Sequence, residues 1–149
     1  MKIAMSIILF WFTAATAFAE AASSSDLINN AVQYDDKVVE YRGEVIGEVM
    51  ARGRYAWVNV NDGVNAIGIN CDRSLVEDIR YGGSYKFKGD TIEVRGIFHR
   101  ACLEHGGDLD IHAQSLNVIT PGKEVPENLN LGKLKIALLL LAVLIILSL

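Results

Sequence analysis

Cysteine, proline and histidine are all scarce in this chain, at two, two and three residues of 149. Two cysteines, Cys71 and Cys102, cannot build a disulfide framework. They make one bridge or stay reduced, and their spacing leaves both open. Pro121 and Pro126 both sit late in the polar middle of the chain, in a stretch that reads as a linker. There is no paired C-x2-C, no H-E-x-x-H, no nucleophile elbow, no phosphate loop and no triad arrangement. Those absences remove the standard zinc motifs and make an enzyme the least supported class. Positive charge is short as well: 14 Lys and Arg against 18 Asp and Glu leave a formal charge of −4. An acidic chain lacks the electrostatic footprint of a general nucleic-acid binder.

What is present begins at the ends. Lys2 precedes an uncharged run from Ile3 to Phe18, closed by Ala17-Phe18-Ala19. A basic start, an apolar run and an A-x-A site predict a secretory signal peptide over residues 1–19, or an uncleaved anchor there. No cysteine follows, so the pattern is not a lipoprotein signal. At the other end, Ile136 to Leu149 is apolar apart from Ser148 and reaches the last residue. The expectation is a transmembrane or membrane-anchoring helix over residues 133–149, with Lys133 and Lys135 snorkelling at its border. Export would place both lysines on the outer side, against the positive-inside preference, which leaves the orientation of the tail open.

Between the ends, residues 20–36 predict a short lead-in helix. Leu27, Ile28, Ala31 and Val32 recur at helical spacing, and Ser24 or Ser25 is the expected cap. From Lys37 the period changes to two. Val39, Tyr41, Gly43, Val45, Gly47 and Val49 alternate with polar and charged positions, which predicts a long first strand that coils at its glycines. Tyr55 to Val60 is a second strand and Asn65 to Asn70 a third, joined by the hairpin signal Asn61-Asp62-Gly63. Ser74 and Glu77 suit a capping box that opens a short helix. Thr91 to Arg100 and Leu109 to Ile119 complete the strands, and residues 121–132 form the linker.

Three strands, a short helix and two more strands, with a glycine-kinked first strand, is the order of the OB-fold. Residues 37–120 resemble OB-fold domains of the nucleic-acid-binding type, through Gly43-Glu-Val-Ile-Gly47, Ala56-Trp-Val-Asn-Val60 and Ile92-Glu-Val-Arg-Gly96. They are most similar to bacterial exported or membrane-tethered OB-fold proteins. The resemblance implies an all-β chain with short helices: a five-stranded OB-fold Greek-key barrel plus a C-terminal transmembrane helix. Together with the two hydrophobic ends, the expectation is a single-pass protein of the bacterial cytoplasmic membrane, held by its C-terminal tail with the barrel on the extracytoplasmic side. OB-folds bind oligonucleotides, oligosaccharides, peptides and proteins, so the implied function is a binding module. Its expected partners are the membrane and an envelope protein or glycan, with nucleic acid as a weaker alternative.

Two sets of residues are candidates for the site. The loops Met50 to Tyr55 and Arg100 to Asp108 should flank the ligand face, which nominates Arg52, Arg54, Tyr55, Trp57 and His105. All three histidines also fall within the fourteen residues from 99 to 112. His99, Cys102, His105, Asp110 and His112 are therefore candidate ligands for zinc, copper or haem, the alternative function being a metal- or haem-binding accessory protein. Haem chaperones of cytochrome c maturation share the tethered OB architecture, but their His-Asp-Glu context and accompanying tyrosine are missing here. With Phe98 and Ile111 facing inward, alternation puts His99 across from Asp110 or His112. The plainer reading has these histidines solvated or bonded to Asp110, with Asp108 and Asp110 on the solvent face.

Overall fold

Inward and outward positions alternate cleanly enough to explain why the middle of the chain closes on itself. The computed structural model describes residues 20–126 and 131–147. The expected signal peptide at 1–19 lies outside the described residues, as do 127–130 of the linker and the last two residues of the tail. Five strands build the barrel: β1 (Val38–Arg52), β2 (Tyr55–Asn61), β3 (Ala66–Asp72), β4 (Thr91–Cys102) and β5 (Asp108–Thr120). Their order is β1-β2-β3-β5-β4, and β4 returns to pair with β1. Only β3 and β5 run parallel; the other barrel pairs are antiparallel. The return of β4 to β1 closes these five strands on one another, which is the usual remedy for exposed strand edges.

β1 is long because it serves two partners. Val38 to Glu44 pairs with β4, and Glu44 to Arg52 pairs with β2, so the strand changes neighbour at Glu44. Gly43 permits the close approach: a Cβ there would lie 2.6 Å from the Asn61 carbonyl oxygen. Gly47 has φ +71°, and the register slips between Ile46 and Met50, which bends the strand around the barrel. The strand continues through Arg52, so the expected basic turn over 51–54 contracts to Gly53 and Arg54.

The inward side chains form one core. Val39, Tyr41, Val45, Val58, Val60, Ile67, Ile69, Ile92, Val94, Phe98 and Ile111 are all shut from water. Each such apolar side chain contributes about 1.5–3 kcal/mol on burial. Cys71 joins this core from β3, and both cysteines are free thiols.

The lead-in belongs to the barrel. The pair Glu20–Ala21 adds to β1 in parallel. Two helices follow, α1 (Ser24–Asn29) and α2 (Ala31–Tyr34), and Leu27 of α1 is fully buried in the core. The cap of α1 is Ser23, one residue earlier than expected, in a reciprocal capping box with Asp26. Ser24 is instead buried, donating from its amide and its hydroxyl to Asp62. The helix expected after β3 is a 3-10 turn, Arg73–Val76. Asp72 caps it and replaces the Ser74/Glu77 box, because the Asp72 carboxylate reaches the Ser74 amide at 3.1 Å.

The tail forms α3 (Leu131–Leu147), exposed along its whole length. Among the described residues, no helix is long and apolar enough to cross a membrane. The expected transmembrane span therefore gives way to a 17-residue helix. Such a helix rises about 25 Å, short of a ~30 Å hydrocarbon core.

Candidate ligand cleft and donor cluster

The β1–β2 turn and the β4–β5 hairpin rise from the same side of the barrel, and a cleft of about 460 Å³ opens between them. Met50, Arg52, Tyr55, Trp57, Asn70 and His105 line it, with Asp108 at its margin. Four of the five expected ligand-face residues are therefore brought together. Arg54 is the exception: its guanidinium reaches away to Asp72, with Nε 2.8 Å from Oδ2. That bond, with help from the Ser74 amide and hydroxyl, holds the Asp72 carboxyl down at about 2. Arg52, in contrast, has no side-chain partner among the described residues.

Trp57 faces outward on β2, as alternation requires, and donates from Nε1 to Asn59 Oδ1 at 3.0 Å. Its indole packs closely against β3 because position 68 is glycine. A Cβ at Gly68 would stand 2.1 Å from Trp57 Cζ2. Gly68, Asn70 and Met50 were not singled out from the sequence. The pairing of β2 with β3 was the only available signal, since it sets Gly68 and Asn70 beside Trp57 on the outer face.

The second set of candidates converges beside this cleft. β4 and β5 are in register with His99 opposite Asp110 and Ile97 opposite His112. Beyond His99 the register slips until Cys102 faces Asp108, and this bulge turns the Cys102 thiol back toward the barrel wall. Leu103–His105 form a 3-10 turn, and Gly106 (φ +76°) and Gly107 (φ +90°) reverse the chain. The Gly107 amide closes the turn on the Cys102 carbonyl at 2.7 Å. His105 is thereby folded back over β5.

The result is four donor atoms around one point. The ligand atoms of Cys102, His105, Asp110 and His112 all lie within 4.8 Å of one another. Asp110 Oδ2 meets His105 Nδ1 directly and lies 3.4 Å from His112 Nε2. His112 Nε2 is 3.4 Å from the Cys102 thiol and 3.4 Å from His105 Nδ1. Asp110 is not on the solvent face but fully buried, and its Oδ1 has no hydrogen-bond partner. The two imidazoles are the lid, their side chains 21% and 28% exposed. His105 also presents its edge to Trp57, with ring centroids 5.1 Å apart, so cleft and cluster share a wall.

His99 is not among the four. Its Nδ1 faces Asp36 Oδ1 at 3.2 Å, and its ring meets His112 edge-on at 4.6 Å between centroids. Asp36 is held there in a left-handed conformation, φ 58°, with its amide bonded to the Phe98 carbonyl. Asp35, Asp36 and His99 make a second, more open group of donors. Asp35 is already engaged with the backbone and guanidinium of Arg100, which hold its carboxyl below the ordinary range.

No family model matches this chain, and neither does any curated protein. Solved structures do resemble it. A protein described as an aspartyl-tRNA synthetase from Leishmania major Friedlin superposes with a TM-score of 0.52 at 14% identity, over 83% of this chain and 24% of that one. The barrel is an OB-fold. Asparaginyl-tRNA synthetase from Pyrococcus horikoshii is more distant, with a TM-score of 0.43 and 19% identity over 60% of this chain and 21% of that one. This chain spans about a quarter of the first protein's length, and the likeness is one of fold.

Proposed function

We infer that this chain is an OB-fold binding module that takes a single strand of nucleic acid across the cleft between the β1–β2 turn and the β4–β5 hairpin. The observation that carries the reading is Arg52, a guanidinium without a partner among the described residues, lining one cleft with the exposed Tyr55 and the indole of Trp57. A cation next to aromatic faces is what a backbone phosphate and a stacked base together use. The OB-fold shared with a protein named for its action on tRNA is in keeping with this ligand class. The acidic balance of the chain confines attraction to the cleft itself, so binding is local and of modest affinity.

Titration of the full chain with a fluorescein-labelled oligothymidylate at two salt concentrations tests the reading. Binding should weaken as salt rises, and Arg52→Ala should lower the salt slope by about one. Trp57→Ala should remove about 1–3 kcal/mol, the worth of one stacked base. Binding that is absent, or indifferent to salt and to Arg52, overturns nucleic acid and turns the same loops toward an envelope protein or glycan.

The module is held at a membrane, on the extracytoplasmic side of the bacterial cytoplasmic membrane. Supporting this are the leader pattern of residues 1–19 and the helix α3, which exposes an apolar surface all round and needs a non-aqueous partner. Partial insertion of a helix of this length anchors without crossing. Flotation with liposomes decides: the full chain should rise with the vesicles, and a chain lacking residues 131–149 should stay behind.

A further inference from the structure

We propose that Cys102, His105, Asp110 and His112 form a mononuclear transition-metal site, with zinc as the ion they are built for. The inference goes beyond the nucleic-acid reading, and neither depends on the other.

The spacing of the donors carries the argument. Three contacts, His112 Nε2 to the Cys102 thiol, to His105 Nδ1 and to Asp110 Oδ2, are each 3.4 Å. As nitrogen–nitrogen and nitrogen–oxygen hydrogen bonds, the last two are too long to be good ones. As edges of a tetrahedron they fit: ligands about 2.0–2.1 Å from a zinc ion stand roughly 3.3–3.4 Å from one another. A thiolate at about 2.3 Å lengthens its edges only slightly. The separations within the set reach no more than 4.8 Å. His105 Nδ1 and Asp110 Oδ2, in direct contact, are closer than two ligands of one ion. Closing the set on an ion therefore takes a shift of about 1 Å both there and at the widest pair, and the Gly106-Gly107 turn lies between His105 and Asp110.

The second observation is the buried carboxylate. Asp110 is 0% exposed, with Oδ1 unpartnered. Burying a carboxylate with an orphaned oxygen costs free energy unless an opposite charge compensates it. Among the described residues no lysine or arginine pairs with it; Oδ2 meets the His105 and His112 imidazoles, and Oδ1 is left over. A divalent ion supplies the missing charge, and the two anionic ligands, thiolate and carboxylate, neutralise that ion. Two nitrogens, one sulfur and one oxygen are a donor set that zinc takes tetrahedrally, and it suits zinc better than the metals that prefer square or octahedral surroundings. Four protein donors make the site a closed one, which points to holding the β4–β5 hairpin in place. Because His105 also walls the cleft, the ion would fix the edge against which Trp57 rests.

The test uses the full chain, purified without a histidine tag, stripped with a chelator and titrated with zinc or with cobalt as its spectroscopic substitute. One equivalent should bind, and cobalt should show tetrahedral d–d bands with a thiolate charge-transfer band. Cys102→Ser should abolish the charge-transfer band. His112→Ala should weaken zinc binding by more than about 100-fold, since even outer-shell changes cost 10–100-fold. His99→Ala should keep one equivalent and the same spectrum. No binding above background by the unaltered chain, or cobalt binding without a charge-transfer band, overturns the proposal. So does a His99→Ala variant that loses the ion as completely as His112→Ala, because that result moves the ion to Asp35, Asp36 and His99. If His112→Ala fails to fold, the Cys102→Ser spectrum decides alone, since serine nearly conserves the volume.

Discussion

Among the described residues two carboxylates are shut away from water, Asp90 at 2% exposed and Asp110 at 0%, and their surroundings differ. Asp90 accepts three backbone amides, from Arg80 (2.6 Å), Tyr81 (2.9 Å) and Gly122 (2.6 Å). It ties the approach to β4 to the exit from β5, and both of its oxygens are used. Burial alone would raise its pKa, but the three amides outweigh burial and hold the carboxyl below its ordinary value. Asp62 is of the same kind, taking the Ser24 amide and hydroxyl and the Val64 and Asn65 amides. Asp110 receives no backbone amide and has an unpartnered oxygen. A polar group whose bonds are all made inside the fold is sufficiently explained by the fold. One left short needs a partner from outside it.

The sharpest way to break this comparison is to make one substitution at both places. Asp90→Asn keeps one acceptor oxygen but turns an NH2 group on the amide donors of the other, and should cost about 2–3 kcal/mol of stability. Asp110→Asn, in protein kept free of metal by a chelator, should cost less, about 1 kcal/mol, because no backbone amide is lost and the remaining amide oxygen still accepts from His105. Urea denaturation measures both, and equal losses would erase the distinction.

Acid should then act on the satisfied carboxylates. Asp62 and Asp90 both have folded-state pKa values below the ordinary one. Groups depressed in this way contribute stability that is complete above the unfolded pKa of about 3.9, and lost as pH falls through the folded value. The urea midpoint should therefore begin to fall near pH 4 and continue downward, with a shallower fall in Asp90→Asn. A midpoint that falls as steeply without Asp90 would show that its amide bonds do not set acid stability.

The smallest expected effect concerns the other end of the lead-in. Ser23→Ala removes the cap of α1 and should cost about 1 kcal/mol. Ser24→Ala, though only one residue on, removes the buried hydroxyl that donates to Asp62 and accepts from Asn65 Nδ2, and should cost more. Thermal unfolding of the two variants side by side checks the order; the reverse order would mean that Asp62 is less firmly satisfied than its bonds suggest.

Much of the barrel was legible in the residues. Alternation of period two put Val39, Tyr41 and Val45 on one face of the first strand and Phe98 and Ile111 inward, and all are buried. Asn61-Asp62-Gly63 marked the β2–β3 hairpin, and Gly43 and Gly47 marked where β1 must bend, since these depend on local backbone conformation alone. The clustering of histidines within fourteen residues was equally visible, and so was the placing of His99 across from Asp110 or His112, between which the register chooses Asp110.

What only the tertiary structure decided is which of those donors meet. Periodicity reports the face on which a side chain lies, not what covers that face. Asp110 lies outward by alternation, yet the turn at Gly106 and Gly107 folds His105 over it and buries it completely. Cys102 joins the set because a bulge after His99 reverses its direction. His99 leaves the set because the end of α2 brings Asp36 within 3.2 Å of it, from more than sixty residues away in the chain. Local sequence determined strands, turns and facing. The donor cluster depended on contacts between segments that no single stretch of sequence encodes, because coordination is set by distances in space, and those exist only once the barrel has closed.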